Sequence, residues 1–251
     1  MSDLFEFSLF FDHTALKTDS GEELTYGQLQ AVSDEVKSYL HQRSLAFCLC
    51  TNTVGSIVGY VALVQQGVAT VLLDANKDGA LIENLLSIYK PNYIWAPSER
   101  GFGEQLYENH GYVLYQYSKE QKKIHPELAL LLTTSGSTGS PKLVRLTQKN
   151  LRCNAESIAN YLHITQDERP VTSLPMYYSY GMSVINSHFI VGSTVLLTEK
   201  TVFDKGFWDF VKKECATSIA GVPYTYEMLK RLRFFRMDLP NLMLSTFNID
   251  D

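Results

Sequence analysis

From about Leu45 onward, short apolar runs alternate with segments of helical periodicity, and this rhythm restricts the fold more than any other property of the chain. Strand signals fall at Leu45–Cys50, Val68–Leu73, Tyr93–Ala96, Tyr112–Tyr117, Leu128–Thr133, Val171–Leu174, Thr194–Leu197 and Thr217–Ala220. Helical patterns lie between them, around 53–66, 78–89, 102–109, 147–162, 181–190, 204–214 and 224–233. Strands separated by helices pair in parallel through right-handed crossovers, so the expected class is α/β, with layered sheets covered by helices. Neither an internal repeat nor a low-complexity linker interrupts the pattern. Glu168-Arg169-Pro170 reads as a turn leading into a strand. The expected division is therefore a first α/β subdomain over 1–168 and a second, incomplete one over 169–251.

Several ends and faces are legible. Thr147 is a natural N-cap for a helix that starts at Gln148, Asn76 or Asp78 can cap the helix before Pro91, and Gly67 stops the helix before Val68. Val54 to Leu73 carries no charge, yet Gln65, Gln66 and its glycines divide it into a helix and a β-branched strand rather than a membrane span. Cys48 and Cys50 alternate in LAFCLC and should share one face of a buried strand. With Cys153 and Cys215 they form no C-x-x-C pair, so free buried thiols and a cytoplasmic setting are expected, with no protein-held metal. MSDLFEFSLFFDH has no basic start ahead of an apolar core and does not read as a signal peptide. A formal net charge of −5 gives no footprint for nucleic acid, and Lys230, Arg231, Arg233 and Arg236 read as a solvated helix face.

The segment LALLLTTSGSTGSPKLVRLTQKNL carries the chemistry. An apolar strand runs into Thr133, Thr134, Ser135, Gly136, Ser137, Thr138, Gly139, Ser140, Pro141 and Lys142. Gly136 and Gly139 permit positive φ and close backbone approach, so successive N–H groups can face an anion. Ser135, Ser137 and Thr138 add hydroxyl donors, and Lys142 adds a positive charge. Such composition also suits a flexible linker. Its position between a buried strand and a helix favours a cradle for polyphosphate instead. A Walker-type loop does not fit, because five positions after Gly136 the residue is Pro141.

TSGSTGSPK closely resembles the phosphate-loop signature of the adenylate-forming superfamily, which includes acyl-CoA synthetases, peptide-synthetase adenylation domains and luciferases. Other segments agree in order. LTYGQL at 24–29 is similar to an early L-[ST]-Y-x-x-L element, and LVQQGVATVLLD at 63–74 to a helix-to-strand element ending in Asn or Asp. LPMYYSYGMSVINSHFIVGSTVLLTE at 174–199 resembles the P-L-F-H-x-x-G region, and GVPYTYEML at 221–229 the G-V-P-T element after it. The resemblance spans roughly residues 5 to 240.

The resemblance implies an AMP-forming ligase. In this family a small-molecule carboxylate attacks the α-phosphate of Mg2+-bound ATP, and the acyl group then passes to coenzyme A or to the phosphopantetheine of a carrier protein. It implies that Thr134, Ser135, Gly136, Ser137, Thr138, Gly139 and Lys142 contact ATP phosphates, with Thr138 and Lys142 in the catalytic role. It places Tyr178, Gly181 and Met182 in the acyl-pocket wall, although Tyr177, Tyr178 and Tyr180 also suit simple aromatic packing. Leu143 stands where the family has Gly after the lysine, and Gln148 where it has His. Y-G-x-T-E, T-G-D and the late catalytic lysine of the family have no counterpart in this sequence. The expectation is an N-terminal, truncated part that is not a complete catalyst alone. The alternatives are one half of a split enzyme, completed by another polypeptide, or a non-catalytic nucleotide- or acyl-binding module.

Overall fold

The computed structural model describes residues 4–77, 79–133 and 143–245. Before Leu45, where the sequence alternation is silent, the chain already builds a hairpin and a helix. Strands β1 (Thr14–Thr18) and β2 (Glu23–Thr25) are antiparallel, and α1 (Tyr26–Lys37) follows directly. Thr25 caps α1 through a reciprocal box with Gln28, which gives the early Thr-Tyr-x-Gln segment a local structural purpose. There follow β3 (Leu45–Cys50), α2 (Val54–Gln65), β4 (Ala69–Asp74), α3 (Gly79–Tyr89) and β5 (Tyr93–Pro97). Next come β6 (Glu104–Asn109), β7 (Tyr112–Gln116), β8 (Leu128–Thr133), β9 (Leu143–Thr147) and α4 (Gln148–Tyr161). The remainder is β10 (Pro170–Val171), α5 (Ser179–Phe189), β11 (Val195–Leu197), α6 (Lys205–Lys213), β12 (Ser218–Ala220), α7 (Pro223–Arg231) and β13 (Met243–Ser245).

The strands form a seven-stranded sheet in the order β6-β7-β5-β3-β4-β8-β9 and a six-stranded sheet in the order β13-β12-β10-β11-β1-β2. In the first, β5, β3, β4 and β8 are mutually parallel; in the second, β13, β12, β10, β11 and β1 are. The α/β class is as expected. Sheet membership, however, does not follow one cut of the chain at 168, because β1 pairs with β11. Pro170 opens a strand, as the turn signal suggests, but only two of its residues pair.

The central core lies between the sheets. It joins Leu16, Val195 and Leu197 of the six-stranded sheet to Cys48, Leu72, Trp95 and Leu130 of the seven-stranded one, through buried residues of α1, α2, α4 and α5. On its far face the seven-stranded sheet is covered by α3 (Ile82, Leu85, Leu86), and the six-stranded sheet by α6 (Phe207, Phe210, Val211). Helix α2 is buried at every position from Val54 to Val64, so its uncharged sequence reflects protein on all sides. It closes with the left-handed glycine the sequence promised: Gly67 sits at φ 71, and Val68 N–H donates to Leu63 O at 3.0 Å. No helix among the described residues is long and apolar enough to cross a membrane.

Two local expectations change. Residues 104–109 pair as a strand rather than a helix. His110 and Gly111, both at positive φ, make a two-residue hairpin turn between Asn109 and Tyr112, and this turn chemistry outweighs the helical spacing. Cys153 and Cys215 are exposed; only Cys48 and Cys50 are buried. Their sulfurs lie 3.7 Å apart on one face of β3, as the alternation requires. The hydrogen bond with Cys50, and then burial, hold the Cys48 thiol well above its ordinary range, so it is no nucleophile at neutral pH. Thr147 caps α4 as expected, whereas Asp78 lies outside the described residues.

His188 on α5 is 6% exposed, and its Nδ1–H donates to Val184 O at 2.7 Å. Burial pushes its pKa down to about 4. A depressed imidazole pKa means that the unfolded chain takes up the proton first. Stability should therefore fall as pH drops from about 6.5 toward 4, by on the order of 3 kcal/mol. Urea midpoints measured across this window should decline in wild type and decline less in His188→Gln; parallel curves would exclude the buried imidazole as the cause.

Candidate functional site

In open parallel sheets the carboxyl ends of the strands present loops and free backbone groups, and ligands gather there. Here the carboxyl ends of β3, β4 and β8 lie side by side, at Cys50, Asp74 and Thr133. Thr133 is the register partner of Leu143, so the chain leaves the sheet and re-enters it at the same place, with 134–142 between. Thr134, Ser135, Gly136, Ser137, Thr138, Gly139 and Lys142 all lie outside the described residues. What the structure fixes is the mouth from which they emerge: the carboxyl edge of the seven-stranded sheet, at the base of an antiparallel hairpin.

The six-stranded sheet meets this edge through the segment after β10. Asn52, two residues beyond β3, donates from Nδ2 to Leu174 O at 3.2 Å, and its Oδ1 accepts from Met176 N–H at 3.1 Å. Both valences of one carboxamide thus hold the turn that precedes α5. Ser56 Oγ sits 3.0 Å from Met176 Sδ, and Tyr177 follows next in the chain. Burial first, then the Asp74 carboxylate near it, push the Tyr177 pKa up to about 12. The phenol therefore stays protonated at any ordinary pH.

The three residues expected in the acyl wall occupy the first turn of α5 and differ in environment. Tyr178 is the N-cap residue and half-exposed. Gly181 is buried where a Cβ would stand 2.2 Å from Pro175 O, so only glycine lets the helix approach the turn this closely. Met182 is 3% exposed and packs in the core between the sheets, so Tyr178 alone of the three offers a free surface. A cleft of about 300 Å3 opens beside Asn52 and Pro175, with Thr198 and Met228 in its lining and the exposed rings of Phe203 and Tyr224 at its rim. A larger hollow of about 470 Å3, between His41–Ser44 and Lys119–Lys122, lies at the opposite, amino edge of the seven-stranded sheet, away from these strand ends. No group of three or more His, Cys, Asp or Glu among the described residues is arranged to hold a metal ion.

Asn52 is the residue that the motifs pass over. Its only local signal is a polar side chain just past a buried parallel strand, a position where exposed strand ends are commonly tied down. Asn52→Ala should remove both bonds, leave Leu174 O and Met176 N without partners, and cost about 2 kcal/mol. The corresponding drop in Tm is about 4–8 °C for a chain of this size. Amide exchange at 174–178 should rise more than elsewhere; a uniform rise across the molecule would mean that the clamp is not local.

The model of the family described as AMP-binding enzyme matches residues 8–247. A feruloyl-CoA synthase from Amycolatopsis sp is 31% identical over 105 residues, a stretch that covers 41% of this chain and 21% of that protein. Among solved structures, apo MatB from Rhodopseudomonas palustris superposes with a TM-score of 0.74 at 20% identity, over 92% of this chain and 51% of that one. O-succinylbenzoate coenzyme A synthetase from Bacillus subtilis, in complex with ATP and magnesium ion, superposes at 0.70 with 22% identity, over 89% and 64%. At these identities the structures establish likeness of fold. The chain spans about half to two thirds of those solved chains, and its aligned stretch about a fifth of the curated relative.

Proposed function

Because the chain belongs to the AMP-binding enzyme family, we propose that it serves in an AMP-forming carboxylate ligase, contributing the phosphate loop and one wall of the acyl site. ATP with its Mg2+ supplies the α-phosphorus that a carboxylate oxygen attacks, with pyrophosphate leaving and a thiol later displacing AMP. The observation that carries this reading is the coincidence of three features at one sheet edge. The Ser/Thr/Gly-rich stretch 134–142 lies between Thr133 and Leu143 at that edge, Asn52 past the end of β3 holds the turn at 174–176, and the half-exposed Tyr178 follows that turn.

The chain's own groups have distinct tasks in this reading. Backbone N–H groups freed by Gly136 and Gly139, with the hydroxyls of Thr134, Ser135, Ser137 and Thr138, receive the β- and γ-phosphate oxygens. Lys142 balances their charge without a geometric demand, as a compact ammonium on a long stem does. Thr138 and Lys142 then stabilise the charge that moves onto the departing pyrophosphate. Mg2+ comes with the nucleotide, held largely by the phosphate oxygens and by water. Tyr178, beside the 174–178 turn, offers a ring face to the acyl group, and the names of the relatives as CoA ligases favour coenzyme A as the thiol.

Lys142→Ala tests the reading directly. Titration of magnesium pyrophosphate into wild type by calorimetry should give saturable binding. The variant should bind at least tenfold more weakly, the loss expected for one charge-assisted contact. Equal affinity in the two proteins would remove the phosphate-loop assignment.

A further inference from the structure

The hollow at the amino edge of the seven-stranded sheet takes no part in the function proposed above. It lies where β3 and β5 begin, roughly 17 Å along β3 from the strand ends at the other edge. Its volume of about 470 Å3 is within the range of small-molecule sites. Every residue around it carries a polar group and none is aliphatic, so an apolar occupant would gain little there. Arg43, Lys119 and Lys122 face a single carboxylate, Glu120, which leaves two positive charges in excess with His41 left out of the count. On a chain whose formal net charge is −5, such a local excess selects an anion as occupant.

The walls are fixed from below. Asn92 is buried; its Oδ1 accepts from Leu45 N–H at 3.0 Å, and its Nδ2 donates to Ser118 O at 3.2 Å and Glu120 O at 2.8 Å. One carboxamide thus locks the 118–120 wall to the start of β3. Tyr93, 2% exposed, accepts from His41 N–H at 3.3 Å through a hydroxyl whose own proton has no acceptor among the described residues. Arg43 sits at φ 59, a left-handed conformation that Gly or Asn adopts with less strain, so the turn itself does not account for an arginine. Its guanidinium joins no ion pair among the described residues. Lys119 and Lys122 have only loose partners, Glu104 at 3.6 Å and Glu120 at 3.7 Å, and the Lys122 side chain is 20% exposed. A fork of guanidinium N–H groups, a sheltered ammonium and a spare phenol proton suit an anion with several acceptor oxygens. We propose that the hollow is a second anion site, one that takes a small phosphate monoester. Arg43, Lys122 and the Tyr93 hydroxyl receive the phosphate oxygens; the carboxamides of Gln42 and Gln116, which both donate and accept, receive hydroxyls of the ester's body. The site shares no residue with 134–142 or with the acyl wall.

Ribose 5-phosphate titrated calorimetrically into the chain at about pH 7.5, where a phosphate monoester is a dianion, should bind saturably. Arg43→Asn keeps a residue suited to the left-handed turn, so its melting temperature should equal or exceed that of wild type while its affinity falls about tenfold. Tyr93→Phe should bind about fivefold more weakly, the loss expected for one neutral hydrogen bond. Lys142→Ala, in a distant segment, should stay within about twofold of wild type. Inorganic phosphate, which lacks the body held by the carboxamides, should bind about tenfold more weakly than the ester. Far-ultraviolet melts establish that each variant folds. Absence of binding, or wild-type affinity in Arg43→Asn, overturns the inference. Loss of binding in Lys142→Ala but not in Arg43→Asn places the phosphate at 134–142 and overturns it as well, while leaving the phosphate-loop reading in place. Equal affinity for the ester and for inorganic phosphate overturns the assignment to an ester.

Discussion

Helix α2 is apolar on every side and must be covered on every side, and most of the architecture follows from that requirement. One side lies on the seven-stranded sheet, where Gly59 lets Trp95 come so near that a Cβ would stand 2.1 Å from the indole, and where the indole N–H donates to Gly55 O at 2.8 Å. The other side reaches across to α5 through the Tyr60 hydroxyl and Asn186 at 3.2 Å, and to the turn before it through Ser56 and Met176. A helix with no polar stripe has no stable position at a surface. The second sheet with its helices is therefore needed to complete the burial of the first.

The same arrangement sets the geometry of the carboxyl edge. Ser56 in the first turn of α2 meets Met176, and Asn52 beyond the end of β3 holds the same turn by two directed hydrogen bonds. Deep packing and the carboxyl edge are thus joined through the first turn of α2.

Elements whose cause is local were legible in the sequence. LAFCLC could only be a strand buried on both faces, the uncharged run from Val54 split at Gly67, and Thr147 capped its helix, because burial, turn conformation and capping are each decided within a few residues. Elements whose cause is distant were not. Strand β1 is five ordinary residues that become a strand by lying beside β11, and β10 keeps only two paired residues because its neighbours are short. The 104–109 stretch misled because its spacing suits a helix while the decisive signal, His110-Gly111, sits just past its end. Around the carboxyl edge, the loop motif falls on residues outside those described, and residue order marks the Tyr178 region. The Asn52 clamp joins residues more than a hundred positions apart and has no signature along the chain.

The pairing of β1 with β11 also sets a timetable. The seven-stranded sheet has all its strands once Thr147 has been made, so it can close while synthesis continues. Thr14–Thr18 belongs to the other sheet and waits for Val195–Leu197, the strand it lies against. At ordinary rates of translation that wait is roughly 10–35 s. Throughout it the amino-terminal hairpin is an unmatched edge on a nascent chain, available to chaperones and to mispairing alike. The segment made first is thus among the last to find its place, and a ribosome that stalls between α4 and β11 leaves the β1 edge of that hairpin without its neighbour.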